Sequence, residues 1–263
     1  LLIMLSIFSK DKVILENCAL EPEIDNLIDF LNQSGAKIKR KKDKIEIEGV
    51  KRLNFNCPFK VISDRNEAVT YITLVVASFG KIKIGPIDQD DIFTFNKKLK
   101  EVGISVFNED DFFVYDSQGK ILKSTNIETS PHPGFMTDWQ PNWAVLMTQA
   151  KGTSIIVERV FENRFSYVSE LRKFGAKIEF LNIKIKNPEN YYFFNYEKDK
   201  VYQQVIKIKG PVKLHNAVVN IADLRAGASL AVASLLAKGE SVVNGASILK
   251  RGYENFVEKI KSL

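Results

Sequence analysis

Apolar positions along the chain fall into helix-length runs of two kinds. Residues 68–79, 138–150 and 224–238 are apolar on most faces, which predicts helices enclosed by other structure rather than laid on a surface. Residues 22–34, 92–102, 166–174 and 253–262 are amphipathic, which predicts helices with one wet face. Short β-branched or alternating stretches at 81–84, 154–158 and 241–243 predict strands, and 104–107 with 112–115 predicts a hairpin. The elements recur in one order, roughly βαβαββ. Three of the amphipathic runs end in Gly35-Ala36-Lys37-Ile38, Gly103-Ile104-Ser105-Val106 and Gly175-Ala176-Lys177-Ile178, at spacings of 68 and 72 residues. The glycines after the enclosed runs, Gly80, Gly152 and Gly239, are 72 and 87 residues apart, so the last copy carries an insertion, assigned to 181–204.

The period is longer than the roughly 20–50 residues of a solenoid repeat. The expected fold class is therefore α/β, a pseudo-threefold domain with the enclosed helices inside and the sheets and amphipathic helices outside. Four copies are visible, the first and last cut short, so the chain is expected to be a piece of something larger. Residues 50–62, with Asn54, Asn56 and Pro58, suit a crossing between domains. The expected division is 1–62, the end of one domain, and 63–263, most of a second. The opening Leu1-Leu2-Ile3-Met4-Leu5-Ser6-Ile7-Phe8 has no basic n-region or cleavage site and is too short to span a bilayer. It aligns with Leu230 to Ala237 and reads as the tail of a helix.

Composition adds little to this picture. The 263 residues are 45% hydrophobic and 27% charged, enough for a packed core. The net charge of +6 suits an anionic partner, whether nucleic acid, membrane or a small phosphorylated ligand. The run Lys39-Arg40-Lys41-Lys42-Asp43-Lys44 precedes an alternating Ile45-Glu46-Ile47-Glu48 and reads as a solvated hairpin turn rather than a nucleic-acid patch. Cys18 and Cys57 have no metal-ligand spacing and read as reduced, partly buried residues of a cytoplasmic protein.

Candidate chemistry lies at the starts of the enclosed helices. Asp64-Arg65-Asn66-Glu67, Thr137-Asp138 and Asp223-Leu224-Arg225 stand there, and a pseudo-threefold axis would bring them to one side. Converging helix starts make an anion site from unpaired N–H groups and partial positive charge. The Asp and Thr positions serve equally as N-caps. A second charged ring precedes the amphipathic helices: Glu21-Pro22-Glu23, Asp88-Gln89-Asp90-Asp91, Phe161-Glu162-Asn163-Arg164 and Lys250-Arg251-Gly252-Tyr253-Glu254.

In these loops the chain resembles a known family. Ser130-Pro131-His132-Pro133-Gly134-Phe135-Met136-Thr137-Asp138-Trp139-Gln140, Val160-Phe161-Glu162-Asn163-Arg164-Phe165, Asp223-Leu224-Arg225-Ala226 and Arg251-Gly252-Tyr253-Glu254 look like motifs of the UDP-N-acetylglucosamine 1-carboxyvinyltransferases, enolpyruvyl transferases of peptidoglycan synthesis. The likeness runs the whole length and covers roughly the C-terminal three-fifths of a family member. It implies the inside-out α/β barrel of that family, in which two such domains close over the substrates. It also implies transfer of the enolpyruvyl group of phosphoenolpyruvate to the sugar 3-hydroxyl of UDP-N-acetylglucosamine, releasing phosphate.

By the same resemblance, Asp138 contacts the sugar hydroxyl and is the candidate base. Val160, with Phe161, touches the nucleotide sugar, and Arg225 and Arg251 face phosphoenolpyruvate. No metal, organic cofactor, nucleic acid or membrane is implied. Met136, Asn142 and Lys250 depart from the family's usual proline, glutamine and acidic residue. The family's cysteine acid, its lysine-asparagine pair and the arginines of its first domain have no counterpart. The chain alone, without the N-terminal portion of such a protein, is expected to be inactive. The shikimate-pathway enolpyruvyl transferase and a non-catalytic RNA or polyanion module are the alternatives. The insertion, with Tyr191-Tyr192-Phe193-Phe194-Asn195-Tyr196, is expected to be a lengthened edge hairpin rather than a base-stacking surface.

Overall fold

The computed structural model describes residues 1–56 and 58–263, so Cys57 lies outside the described residues. Two units emerge, one of residues 1–63 with 131–133 and one of residues 64–130 with 134–263.

The first unit runs α1 (Leu2–Ser6), β1 (Val13–Leu15), α2 (Pro22–Gln33), β2 (Lys37–Lys41) and β3 (Lys44–Glu48). Its sheet has the order β1-β3-β2 and is antiparallel throughout. Alternation along the hairpin turns Ile38, Ile45 and Ile47 inward, where they meet Ile3, Ile7, Ile28 and Leu31. The basic run forms the β2–β3 hairpin, as the sequence predicts. There Arg40 donates to Asp25 at 2.9 Å and to the carbonyls of Ala19 and Lys42. Cys18 is half-buried beside this core. Leu1, Leu2, Met4, Leu5 and Phe8 on and around α1 are exposed.

The second unit contains α3 (Arg65–Ala77), β4 (Lys81–Ile84), α4 (Phe93–Val102), β5 (Ser105–Glu109) and β6 (Phe112–Asp116). It continues with β7 (Ile127–Glu128), α5 (Gln140–Gln149), β8 (Gly152–Val157), α6 (Tyr167–Lys173), β9 (Lys177–Phe180), α7 (Pro188–Tyr191) and β10 (Val205–Gly210). The last elements are β11 (Val218–Asn220), α8 (Leu224–Leu236), β12 (Val242–Asn244) and α9 (Phe256–Lys261). The sheets are β4-β6-β5, β7-β8-β10-β9 and β11-β12. β7 pairs parallel to β8, and β11 to β12. Each of these pairs is joined through an enclosed helix, as a parallel pair requires.

α3, α5 and α8 each pack on the other two and are buried on nearly every face. Phe95, Phe135, Trp139 and Trp143 form an edge-to-face aromatic cluster within the core, with centroids 5.3–5.8 Å apart for Trp143 with Phe135 and Phe95. The repeated glycine has a plain cause. Gly103 and Gly175 stand just past α4 and α6 at φ +102° and +90°, a region where only glycine avoids a Cβ penalty and where helices commonly close.

Three boundaries differ from expectation. The second enclosed helix opens as a 3-10 turn, Thr137–Trp139, before α5, because Pro141 has no N–H to extend regular α-helical bonding backwards. α9 starts at Phe256 rather than near 253, since Asn255 adopts φ +50°. Residues 181–204 do join the antiparallel neighbours β9 and β10, but no strand lies between Phe180 and Val205 among the described residues. Aromatic packing takes the place of a ladder. Tyr192 stacks on Phe194 at 4.8 Å and on Tyr196 at 5.9 Å, and Tyr202 closes on both. Among the described residues no helix is long and apolar enough to cross a membrane.

Candidate functional site

The starts of the three enclosed helices are tied together by side chains. Asp64 caps α3 through the N–H groups of Asn66 and Glu67, and Asp223 caps α8 through that of Ala226. Trp139, in the turn before α5, donates its indole N–H to Asn66 at 2.9 Å. Asn142 on α5 donates to the Thr70 hydroxyl on α3 at 3.0 Å, and that hydroxyl meets the Tyr253 hydroxyl at 2.9 Å.

Asp138 sits in this ring and does not cap. Its Oδ1 accepts from Arg164 at 2.7 Å and its Oδ2 from Arg225 at 3.3 Å. All three side chains are partly exposed, between 16% and 27%, so the cluster borders solvent. The Arg225 guanidinium lies 5.7 Å from the centroid of the Tyr253 ring. Its Nη1 is buried with no hydrogen-bond partner among the described residues. Burial disfavours the charged guanidinium, but Tyr253, Asp138 and Asp64 outweigh it, and the net shift is upward. Burial likewise pushes the Tyr253 phenol up, with Thr70 and Arg225 offsetting part of that. Near neutral pH the phenol therefore stays protonated beside a cationic arginine.

The loop after β8 forms the neighbouring wall. Val160 is half-buried and Phe161 is 54% exposed, with the Arg164 guanidinium 5.1 Å from the Phe161 ring centroid. Both backbone N–H groups point at one oxygen of Glu158, at 2.8 and 3.1 Å. Asn163 takes the left-handed conformation, φ +52°, which asparagine tolerates better than most residues. Its N–H and amide oxygen both bond the 203–204 segment, at 2.6 and 2.7 Å. Gln204 also donates to the carbonyls of Glu158 and Phe161. The insertion fastens on the same loop. Phe193 N–H donates to the Arg159 carbonyl, and the Arg159 guanidinium donates twice to that of Tyr191, whose ring lies 4.2 Å away.

Glu158 lies under this wall, fully buried. Besides the two backbone groups, it accepts from the Thr129 hydroxyl at 2.8 Å, the Thr137 hydroxyl at 2.8 Å and the Gln140 amide at 3.1 Å. A buried carboxylate is tolerated only when its oxygens are filled in this way, each such bond contributing about 1.5–3 kcal/mol. Burial holds the neighbouring Tyr167 phenol well above its ordinary range, and the Glu158 charge adds to that. Its hydroxyl donates to Gln140.

The structure thus brings Asp138 and Arg225 into contact and joins them to Val160 and Phe161 through Arg164. Among the described residues, no hydrogen bond or ion pair joins Arg251 to them. It is exposed at the end of the 3-10 turn Ala246–Arg251. Its neighbour Gly252 lies so close to Leu224 that an added Cβ would come within 2.7 Å of the leucine Cδ2. Sequence reasoning did not single out Arg164 or Glu158. Arg164 was visible as a member of the charged ring, whereas a lone glutamate ending an apolar strand carried no signal.

Three sheets around three mutually packed helices, with polar helix starts gathered at one end, define an enolpyruvyl-transferase type of α/β architecture. The profile described as EPSP synthase (3-phosphoshikimate 1-carboxyvinyltransferase) matches residues 1–260, and the chain belongs to that family. The UDP-N-acetylglucosamine 1-carboxyvinyltransferase of Kosmotoga olearia is 36% identical over 100% of this chain and 57% of its own length. The protein of that name from the Wolbachia of Brugia malayi is 39% identical over 99% of this chain and 56% of its own length. Among solved structures, the enolpyruvyl transferase NikO of Streptomyces tendae superposes with a TM-score of 0.81 at 24% identity, covering 99% of this chain and 57% of that one. EPSP synthase from Acinetobacter baumannii gives a TM-score of 0.70 at 16% identity, covering 98% and 57%. These two share the fold. The chain spans about 57% of the length of the first of these relatives.

Proposed function

We propose that this chain is part of a cytoplasmic UDP-N-acetylglucosamine 1-carboxyvinyltransferase. Residues 1–62 would belong to its first domain and 63–263 to its second. The observation that carries the reading is Asp138 held between Arg164 and Arg225 beside the Val160–Phe161 loop. The identity of 36–39% to relatives of that name, against 16% to the EPSP synthase structure, favours the nucleotide sugar over shikimate 3-phosphate as acceptor.

In this reading the oxygen of the sugar 3-hydroxyl bonds to C2 of phosphoenolpyruvate as its methylene carbon C3 takes up a proton, and the hydroxyl proton passes to Asp138. Loss of a proton from C3 then re-forms the C2–C3 double bond and breaks the C2–O bond to the phosphate, which leaves as inorganic phosphate. Both carboxylate oxygens of Asp138 hold arginine N–H groups, so Asp138 exchanges one of them for the hydroxyl before it acts as base. The longer Arg225 contact, at 3.3 Å, is the one to yield. Arg225 then turns its planar fork, including the unpartnered Nη1, to the carboxylate or phosphate of phosphoenolpyruvate. Arg251, exposed and next to the segment that packs on Leu224, supplies further positive charge. Val160 and Phe161 meet the nucleotide sugar by backbone and ring. The proton for the phosphoenolpyruvate methylene comes from an acid outside this chain.

Thermal denaturation tests this with UDP-N-acetylglucosamine, shikimate 3-phosphate and a generic oligonucleotide as ligands. The nucleotide sugar is expected to raise the melting temperature, and Asp138→Asn to abolish that rise. Stabilisation by shikimate 3-phosphate alone would favour the shikimate-pathway reaction. Stabilisation by the oligonucleotide alone, lost with salt, would favour a polyanion module. The 263-residue chain by itself is expected to release no phosphate from phosphoenolpyruvate plus UDP-N-acetylglucosamine, and measurable release would refute that part.

A further inference from the structure

The reaction roles above leave Glu158 unassigned, although it is the most fully bonded buried carboxylate of the site. Its Oε1 holds the N–H groups of Val160 and Phe161 and the Thr129 hydroxyl, and its Oε2 holds the Thr137 hydroxyl and the Gln140 amide. These donors come from three chain segments, and two of the segments carry or adjoin proposed substrate contacts. Thr137 extends the network toward the chemistry. Its hydroxyl gives its proton to Glu158 at 2.8 Å and accepts from Arg164 Nη1 at 2.9 Å. The other arm of the same guanidinium reaches Asp138 at 2.7 Å. The fork of Arg164 is therefore set at one tip by Thr137 and presents the other to the candidate base.

Building on the nucleotide-sugar reading, we propose that Glu158 is the positioning residue of this site. One oxygen fixes the Val160–Phe161 loop, and the other aims Arg164, and through it Asp138, by way of Thr137. The chemistry suits a carboxylate and not its amide. Five donors converge on two oxygens, and Glu158→Gln replaces one acceptor by an N–H₂ group facing donors, leaving buried groups unpaired. Thr137→Val keeps the side-chain shape and leaves the three donors to Oε1, and with them the loop, in place; it removes the hydroxyl that bridges Oε2 and Arg164.

The test uses the isotope-labelled 263-residue chain as wild type, Glu158→Gln, Thr137→Val and Thr137→Ser. Amide exchange by NMR reads the loop, the Arg164 side-chain N–H signals read the guanidinium, and calorimetry reads UDP-N-acetylglucosamine binding. In Glu158→Gln the Val160 and Phe161 amides exchange at least about tenfold faster while those of α5 and β10 keep their protection. In Thr137→Val the loop amides stay protected and the Arg164 signals shift or broaden. Affinity falls about tenfold in both variants, as expected for one lost charge-assisted bond, and Thr137→Ser restores it. Unchanged loop exchange in Glu158→Gln, or unchanged Arg164 signals in Thr137→Val, overturns the proposal. If Glu158→Gln fails to fold, the Thr137 pair alone decides. A wild-type chain that does not bind the nucleotide sugar overturns the substrate reading instead, while the exchange and Arg164 signals still decide the positioning role.

Discussion

Asp64, Asp223, Thr137 and Asp138 occupy equivalent helix starts and put short polar side chains to three uses. Asp64 and Asp223 cap their helices. Asp138 faces two arginines, and the Thr137 hydroxyl relays between Arg164 and Glu158. Capping by Asp64 has a measurable worth. Asp64→Ala is expected to lower stability by about 1 kcal/mol in urea titration with an unchanged m-value, and a loss below about 0.3 kcal/mol would count against the cap. Sequence pattern located these four residues because a polar residue before a long apolar run marks a helix start. It left open which would cap, since that depends on whether a side chain turns back to its own backbone or out to a partner. Glu158 was illegible for a sharper reason. Of its five donors, three are side chains 29, 21 and 18 positions away.

Legibility was highest for the enclosed helices. α3, α5 and α8 are apolar on nearly every face, and a polar face would have been left unsatisfied against the other two helices. Helix ends moved where one residue overrode the pattern, as with Pro141 in the enclosed α5 and Asn255 before the amphipathic α9. The insertion joins the antiparallel edge pair β9 and β10 as expected, but it adds no strands, because Tyr192, Phe194, Tyr196 and Tyr202 hold one another by ring contacts, and rings two positions apart in sequence carry the same period as a strand. Close approach within the bundle sets a test at Gly227 on α8. A Cβ there would come within 2.3 Å of the Ile221 Cγ2 and 3.2 Å of its Cδ1. Alanine gains about 1 kcal/mol of helix propensity over glycine, but forcing a branched side chain aside costs about 1–3 kcal/mol. The net effect of Gly227→Ala is expected to be destabilisation in chemical denaturation, and a stabilised variant would contradict the packing at Ile221.

On the scale of the whole molecule, the two units keep separate cores. Among the described residues the first relies on seven buried apolar residues, Ile3, Ile7, Ile28, Leu31, Ile38, Ile45 and Ile47, in a segment of a size at which cores are marginal. The second buries the aromatic cluster together with the enclosed helices. Hydrogen exchange followed by mass spectrometry in rising urea is therefore expected to release β2 and β3 at a lower free energy than α5. Equal opening energies for the two would show that the units unfold as one. In the 263-residue chain the side chains of Leu1, Leu2, Met4, Leu5 and Phe8 are exposed on and around α1, and apolar side chains grouped in this way favour adsorption to apolar surfaces. Dilute samples of this 263-residue chain are therefore expected to lose protein to air–water and plastic interfaces on shaking, and a trace of mild non-ionic surfactant to prevent the loss.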